Sequence, residues 1–383
     1  MKTEKDNFDD TEKSAVKRTT PGSRAENHAG SRAGRIAGKV VLRFSSFVLV
    51  VAFLIVTALL TAIWIVSKGP SPSAQRLFVL TVKETSAVGF LADIFLPEEE
   101  VDLILNPPDQ DYEDESYQTD TTLISIPVPE IHFAGYEPVP DSNGDTVDSE
   151  PVDEVPNVEL HEVSGAGYHG YMLVVHDPKR VYVGTPNGFG GAGLTVVQHV
   201  AKDNALAGIN AGGFDDPEGK GTGGIPEGIV ICDGVFKWGA NFGTTCVIGF
   251  DGDSILHVGY MTAATARDLG LREAVSFGPA LIINGTPQTI PYSGVNPRTA
   301  IGQRADGAVL MLVVDGRQLD SVGATYDQLI EIFLDFDAVN AGNLDGGSST
   351  ELVYEGETVN SGPTMIRSRS MPTAFLVRRS NEG

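Results

Sequence analysis

Two acidic residues close apolar runs in the C-terminal half of the chain: Asp315 in LMLVVDGR and Asp345 in NAGNLDGGSSTELV. An Asp-Gly step after a strand is ordinarily a turn, and Asp251-Gly252 and Asp306-Gly307 read that way. Asp345 keeps different company, because Gly346 and Gly347 are followed by Ser348, Ser349 and Thr350. Backbone N–H groups of such a turn form a concave anion nest, and the hydroxyls add donors. A guanidinium stands in VNPRTAIG, where Pro297 holds the preceding residue extended and Arg298 leads into an apolar strand. Its planar fork matches phosphate or carboxylate, and a structural salt bridge is the alternative use. Asn210 ends the apolar run ALAGIN and opens the Gly-rich loop INAGGFDDPEGKGTGG, whose backbone can approach a ligand closely. Taken together, these pieces suggest a site for a sugar phosphate.

The surrounding pattern predicts the elements that hold them. GYMLVVHDPKRVYVGT reads as a hairpin broken by Asp177-Pro178, EGIVICDGVFKWG as one turning on Asp233-Gly234, and CVIGFDGDSILHVG as one turning on Asp251-Gly252. TAIGQRADGAVLMLVVDGR supplies two strands, and STELVYEGETV a last hairpin. Capping boxes at Thr195 to Gln198 and Thr325 to Gln328 start helices, the second with Leu329, Ile330, Phe333 and Phe336 on one face. A further helical segment spans Ala263 to Leu269. Many hairpins with a few packed helices predict an α+β domain on a mixed sheet, over residues 161–380.

The 383 residues carry a net charge of −24, and residues 84–176 contain no Lys or Arg. That balance excludes a nucleic-acid partner, which is bound through clustered cations. Phe44–Val66 is uncharged and long enough to cross about 30 Å of hydrocarbon as a helix, so a lipid bilayer is the expected partner there. Arg32, Arg35, Lys39 and Arg43 precede it, which puts the N-terminus in the cytoplasm and the rest outside. The expected order is a disordered cytoplasmic tail (1–43), a transmembrane helix (44–66), a membrane-proximal helical stalk (67–105), an acidic disordered linker (106–160) and the domain. Within the linker DSNGDTVDSE resembles the start of a calcium loop but lacks its glycine and closing Glu. Cys232 and Cys246 would form either a disulfide or two buried thiols. The His residues form no ligand-spaced cluster, so neither metal nor cofactor is expected.

Seven blocks carry a resemblance to a known family: INAGGF, GIPEGIVICDG, FGPALIINGT, NPRTAIG, LMLVVDGR, NLDGGSSTELVYEG and RSMPTAFLV. In this order they resemble the phosphodiester glycosidases, whose animal member removes N-acetylglucosamine from phosphomannose. The family pattern LDGGGS has Ser348 in place of its third glycine here. The resemblance implies a membrane-anchored hydrolase that splits a sugar-1-phosphodiester of a surface glycan between C1 and oxygen. Phosphate is a weakly basic leaving group, so phosphate stabilisation and a carboxylate facing C1 matter more than a strong acid. Asp345 is the first choice for nucleophile or base and Asp315 the second. Arg298 is the expected phosphate clamp, beside Gly346, Gly347, Ser348, Ser349 and Thr350, and Asn210 orients a sugar hydroxyl or acetamido group. The alternatives are a surface module that binds phosphorylated wall or capsular polysaccharide without cleaving it, and a transferase.

Overall fold

A computed structural model describes residues 23–83, 85, 88–105, 119–127, 157–217, 220–290, 294–360 and 369–379, with residues 23–38 as backbone alone. The chain divides into two compact units, Met1–Ile63 and Trp64–Gly383. Most of α1 (Ser23–Lys68) lies in the first, and its segment Lys39–Lys68 is long and apolar enough to cross a membrane. The helix starts ahead of the apolar run, so residues 23–43 are helical where the sequence suggested a disordered tail. Their Ala, Arg and Lys content lets a helix nucleated in the apolar stretch propagate backwards.

The second unit is α+β. Its largest sheet has seven strands in the order β1 (Val158–Gly165), β2 (Tyr168–Val175), β13 (Val309–Val314), β12 (Arg298–Arg304), β14 (Ala338–Leu344), β10 (Ala280–Ile283) and β11 (Thr286–Pro287), every pairing antiparallel. A five-stranded sheet runs β16 (Glu357–Thr358), β15 (Leu352–Tyr354), β4 (Ala207–Asn210), β17 (Ala374–Val377) and β3 (Val181–Gly184). A second five-stranded sheet runs β6 (Val235–Trp238), β5 (Val230–Cys232), β9 (Glu273–Ser276), β7 (Thr245–Phe250) and β8 (Leu256–Met261).

Strand alternation divides the core. In β13, Val309, Met311 and Val313 enter the central cluster shared by the sheets, while Leu310, Leu312 and Val314 pack on the other face with Leu329, Ile330 and Phe333 of α7 (Tyr326–Asp335). The other sheets carry α5 (Val196–Lys202) and α6 (Ala263–Asp268). Both predicted capping boxes are present. The run 168–184 is not a hairpin: β2 pairs with β1 and β13, and β3 pairs with β17 in another sheet. Pro178 opens a 3-10 turn in which Asp177 accepts the Lys179 amide, and the chain changes sheets there.

Residues expected as a stalk form three short helices, α2 (Pro72–Lys83), α3 (Phe90–Asp93) and α4 (Glu98–Leu105), packed through Val79, Leu80, Val82, Ala92, Leu96, Val101 and Ile104. They touch the largest sheet beside the start of β12, where the Val295 amide donates to Thr81 Oγ1 at 3.1 Å. Of the expected acidic linker, residues 119–127 lie against the far end of that sheet, with the Ser125 amide donating to the Ala305 carbonyl at 2.8 Å. The calcium-like stretch 141–150 falls outside the described residues. Cys232 and Cys246 are free buried thiols on strands separated by β9, and burial pushes each up to about 12.

Candidate active site

The middle strand of the seven, β12, begins at Arg298, and its two neighbours end beside it. β13 runs into Asp315 and β14 into Asp345, so the sheet brings the three sequence-predicted residues to one end. The glycines after each Asp close on the residue before Arg298. A Cβ on Gly316 would stand 2.7 Å from the Pro297 nitrogen, and one on Gly346 would stand 2.7 Å from the Pro297 carbonyl oxygen. Only glycine lets both turns come this near.

Within that cluster the side chains part. Arg298 pairs with Val314, whose side chain faces α7, so its guanidinium lies on the helix side of the sheet. There Nε donates to the Ala324 carbonyl at 3.1 Å, Nη2 to the Gly294 carbonyl at 2.7 Å and Nη1 to Tyr326 Oη at 3.2 Å. The guanidinium also stacks on the Tyr326 ring, 4.3 Å from its centre. Arg298 is thus buried as a brace between β12 and the start of α7, in place of the expected phosphate clamp. Asp315 leaves the opposite face and accepts the Asn360 amide at 3.0 Å.

Asn210 is fully buried. Its amide nitrogen donates to the Asp345 carbonyl, and its oxygen accepts from Thr299 Oγ1 at 2.7 Å and from the Glu351 amide at 3.2 Å. The residue therefore fixes the Asp345 turn, where the sequence suggested a contact with sugar. The next loop residue continues the support, because the Ala211 carbonyl accepts the Asp345 amide at 3.0 Å.

Beyond Asp345 the chain forms a single 3-10 turn, Gly347–Ser349, with Gly347 at φ +61°. The Gly347 amide donates to Pro297, the Ser349 amide to Gly346 and the Thr350 amide to Gly347. The expected amide nest is largely spent inside the turn. Ser349 and Gly346 hydrogen-bond the Asp345 carboxylate. Oδ2 of Asp345 and Oγ1 of Thr350 are buried without a hydrogen-bond partner among the described residues. Burial pushes the Asp345 carboxyl up to about 6, against the opposing pull of Ser349, Arg369 and Gly346.

Four residues near this turn were not singled out by sequence. Arg369 grips Asp216 with both terminal nitrogens, at 2.6 and 2.7 Å, and holds that carboxyl below its usual range. Its charge also acts on Asp345. Glu227 is held above the usual carboxylate range by partial burial and by the charges of Asp215 and Asp216. The Arg317 guanidinium donates to Thr85 Oγ1 at 2.9 Å and to Asn296 Oδ1 at 3.2 Å. It also reaches within 3.3 Å of the point where a Cβ would stand on Gly347. The loop carrying Asp216 was legible as a Gly-rich approach to a ligand, but its partner Arg369 lies 153 positions away.

A surface with two arginines, an elevated carboxyl and a hydroxyl-bearing turn can receive a phosphorylated ligand and act on it as a base or nucleophile. Residues 203–378 match the phosphodiester glycosidase family. Over 198 residues the chain is 31% identical to the SPbeta prophage-derived uncharacterized protein YomE of Bacillus subtilis (strain 168), covering 48% of this chain and 29% of that protein. The fold resembles the catalytic domain of zebrafish N-acetylglucosamine-1-phosphodiester alpha-N-acetylglucosaminidase, auto-inhibited by its pro-peptide. That match has a TM-score of 0.50 and 22% identity, and covers 59% of this chain and 85% of that one. A hypothetical protein from Synechocystis matches with a TM-score of 0.45 and 16% identity, over 57% of this chain and 61% of that one.

Proposed function

The domain at residues 203–378 belongs to the phosphodiester glycosidase family, and from that membership we propose that the protein hydrolyses a sugar-1-phosphodiester between C1 and the phosphate oxygen. The observation that carries the reading is Asp345: a carboxyl raised to about 6, with one oxygen buried and unpartnered among the described residues, and within the field of the Arg369 guanidinium. A desolvated carboxylate is a high-energy group that a proton or an electron-poor C1 relieves. As a general base, Asp345 takes the proton of a water whose oxygen forms the new bond to C1. The C1–O bond breaks, and its electron pair leaves on the phosphate as a monoester. In this reading Arg369, Arg317 and the Ser348 hydroxyl are the donors that meet that charge. Asp216 stays ionised and orients Arg369.

Asn210 acts through the Asp345 backbone and Arg298 through the frame of the sheet. Asp315, which accepts a hydrogen bond from Asn360, is the second candidate carboxylate. The basic residues of α1 ahead of its apolar stretch, Arg32, Arg35, Lys39 and Arg43, support a cytoplasmic N-terminus and an extracytoplasmic domain, with glycans of the cell surface as the substrate source.

The test uses the full chain in lipid nanodiscs with a panel of glycosyl-1-(methyl phosphate) diesters. Release of reducing sugar and methyl phosphate is expected from at least one member. Saturable binding with no release from any member would instead make the protein a surface module that holds phosphorylated polysaccharide.

A further inference from the structure

A cleft of about 750 Å³ opens next to the candidate site, and none of the steps above uses it. Four aromatic rings line it, Trp238, Phe242, Tyr260 and Phe277, together with Glu227 and Thr245. Trp238 closes β6, Phe242 follows it, Tyr260 lies near the end of β8 and Phe277 follows β9, so strand ends from both edges and the middle of one sheet assemble the wall. Trp238 is 37% exposed and Phe242 45% exposed, unusual for large aromatic side chains in a domain with an ample core. Phe189 meets the Trp238 ring edge-on at 5.8 Å between centres and holds it in place.

The cleft and the catalytic turn share a wall. Along residues 211–213, the Ala211 carbonyl accepts the Asp345 amide at 3.0 Å, and the Gly213 amide donates to the carbonyl of Ser276, a cleft residue, at 3.0 Å. A Cβ on Gly213 would stand 3.0 Å from the Phe277 ring and 3.1 Å from Glu227 Oε2. Asp216 acts electrostatically on both Glu227 and Asp345.

Resting on the hydrolytic reading above, we propose that this cleft is a saccharide subsite, which makes the substrate an oligosaccharide or polymer flanking the scissile phosphodiester and not a single sugar. Pyranose rings present C–H faces that stack on aromatic rings and hydroxyl edges that need acceptors and donors. Aromatic faces interleaved with the Glu227 carboxylate and the Thr245 hydroxyl supply both. Phosphate is not the occupant here, because the lining carries the Glu227 carboxyl and, among the described residues, no Lys or Arg to hold an anion. The volume falls within the roughly 300–1,000 Å³ of ordinary ligand clefts.

The chain has two tryptophans, Trp64 and Trp238, so the full-length Trp64→Phe variant in nanodiscs reports on the cleft alone. Titration with the neutral trisaccharides chitotriose, maltotriose and cellotriose is expected to change Trp238 emission saturably for at least one. By calorimetry, Phe242→Ala should weaken that binding at least fivefold. In turnover, Trp238→Ala should raise KM at least tenfold for a diester extended by that trisaccharide. It should leave kcat, and the KM of the single-sugar diester, within twofold. Saccharide binding without cleavage of any diester would retire the hydrolytic reading and keep the subsite. Cleavage of diesters with no trisaccharide bound and KM unmoved by Trp238→Ala would overturn the subsite and keep the enzyme.

Discussion

Arg298 and Asp315 stand at the same end of two paired strands and leave the sheet in opposite directions. Arg298 pairs with Val314, so Asp315, the next residue along, alternates to the other face. Replacing Arg298 by Met would take the guanidinium from the Gly294 carbonyl and leave the Ala324 carbonyl to the Asn296 amide, which donates to it at 3.3 Å. Such a loss costs about 1–3 kcal/mol. The expected outcome is a Tm lower by several degrees with the KM for a diester within twofold, read by thermal denaturation and steady-state kinetics. A large rise in KM at unchanged Tm would return Arg298 to the phosphate.

Asp345→Asn should slow turnover at least a hundredfold and, at pH 7, raise stability. Between the ordinary carboxyl value of 3.8 and about 6, the folded state keeps a proton that the unfolded state gives up. Stability therefore falls as pH rises through that window, and above it the ionised buried group costs on the order of 3 kcal/mol. Asn carries no such cost. Parallel melts at pH 7 and pH 4 should show the variant's advantage at the higher pH only.

The rate of the wild-type chain should climb as pH rises through about 6, because the base must be ionised to act. Ser349 and Arg369 both favour the ionised form of Asp345. Ser349→Ala and Arg369→Gln are thus expected to move the acidic limb of the kcat profile to higher pH, measured in parallel with the wild type. A limb that stays put in both variants would argue that another group controls it.

Asn210→Ala removes a buried amide that never reaches solvent and frees the Asp345 carbonyl. The prediction is a kcat at least tenfold lower with KM within threefold, since the loss is of alignment and not of a contact to sugar. An increase confined to KM would place the amide on the substrate.

Much of this arrangement was legible in the sequence, for a physical reason. Asp-Gly and Asn-Pro-Arg steps at the ends of apolar runs mark where strands stop, and neighbouring strands stop together. What each side chain faces was not legible, because facing depends on the register among β12, β13 and β14. The same blindness turned two apolar runs around Asp177-Pro178 into a hairpin, although only pairing partners distinguish a hairpin from a crossing between sheets. Asp216 and Arg369 could not be matched from text at all, since nothing local to either names the other. Trp238 and Phe242 carry no local mark in the text, because their exposure follows from how the third sheet packs.

Pro297 sits clasped between Gly316 and Gly346, with no room for a methyl group on either side. Neither acidic turn can therefore drift without dragging the other, and the spacing between the two carboxylates is inherited as one unit. Attempts to retune which glycan is accepted will find little latitude at positions 297, 316 and 346. Diversity introduced at Glu227, Trp238 and Phe242 has room to alter preference while the acid-bearing frame stays as it is.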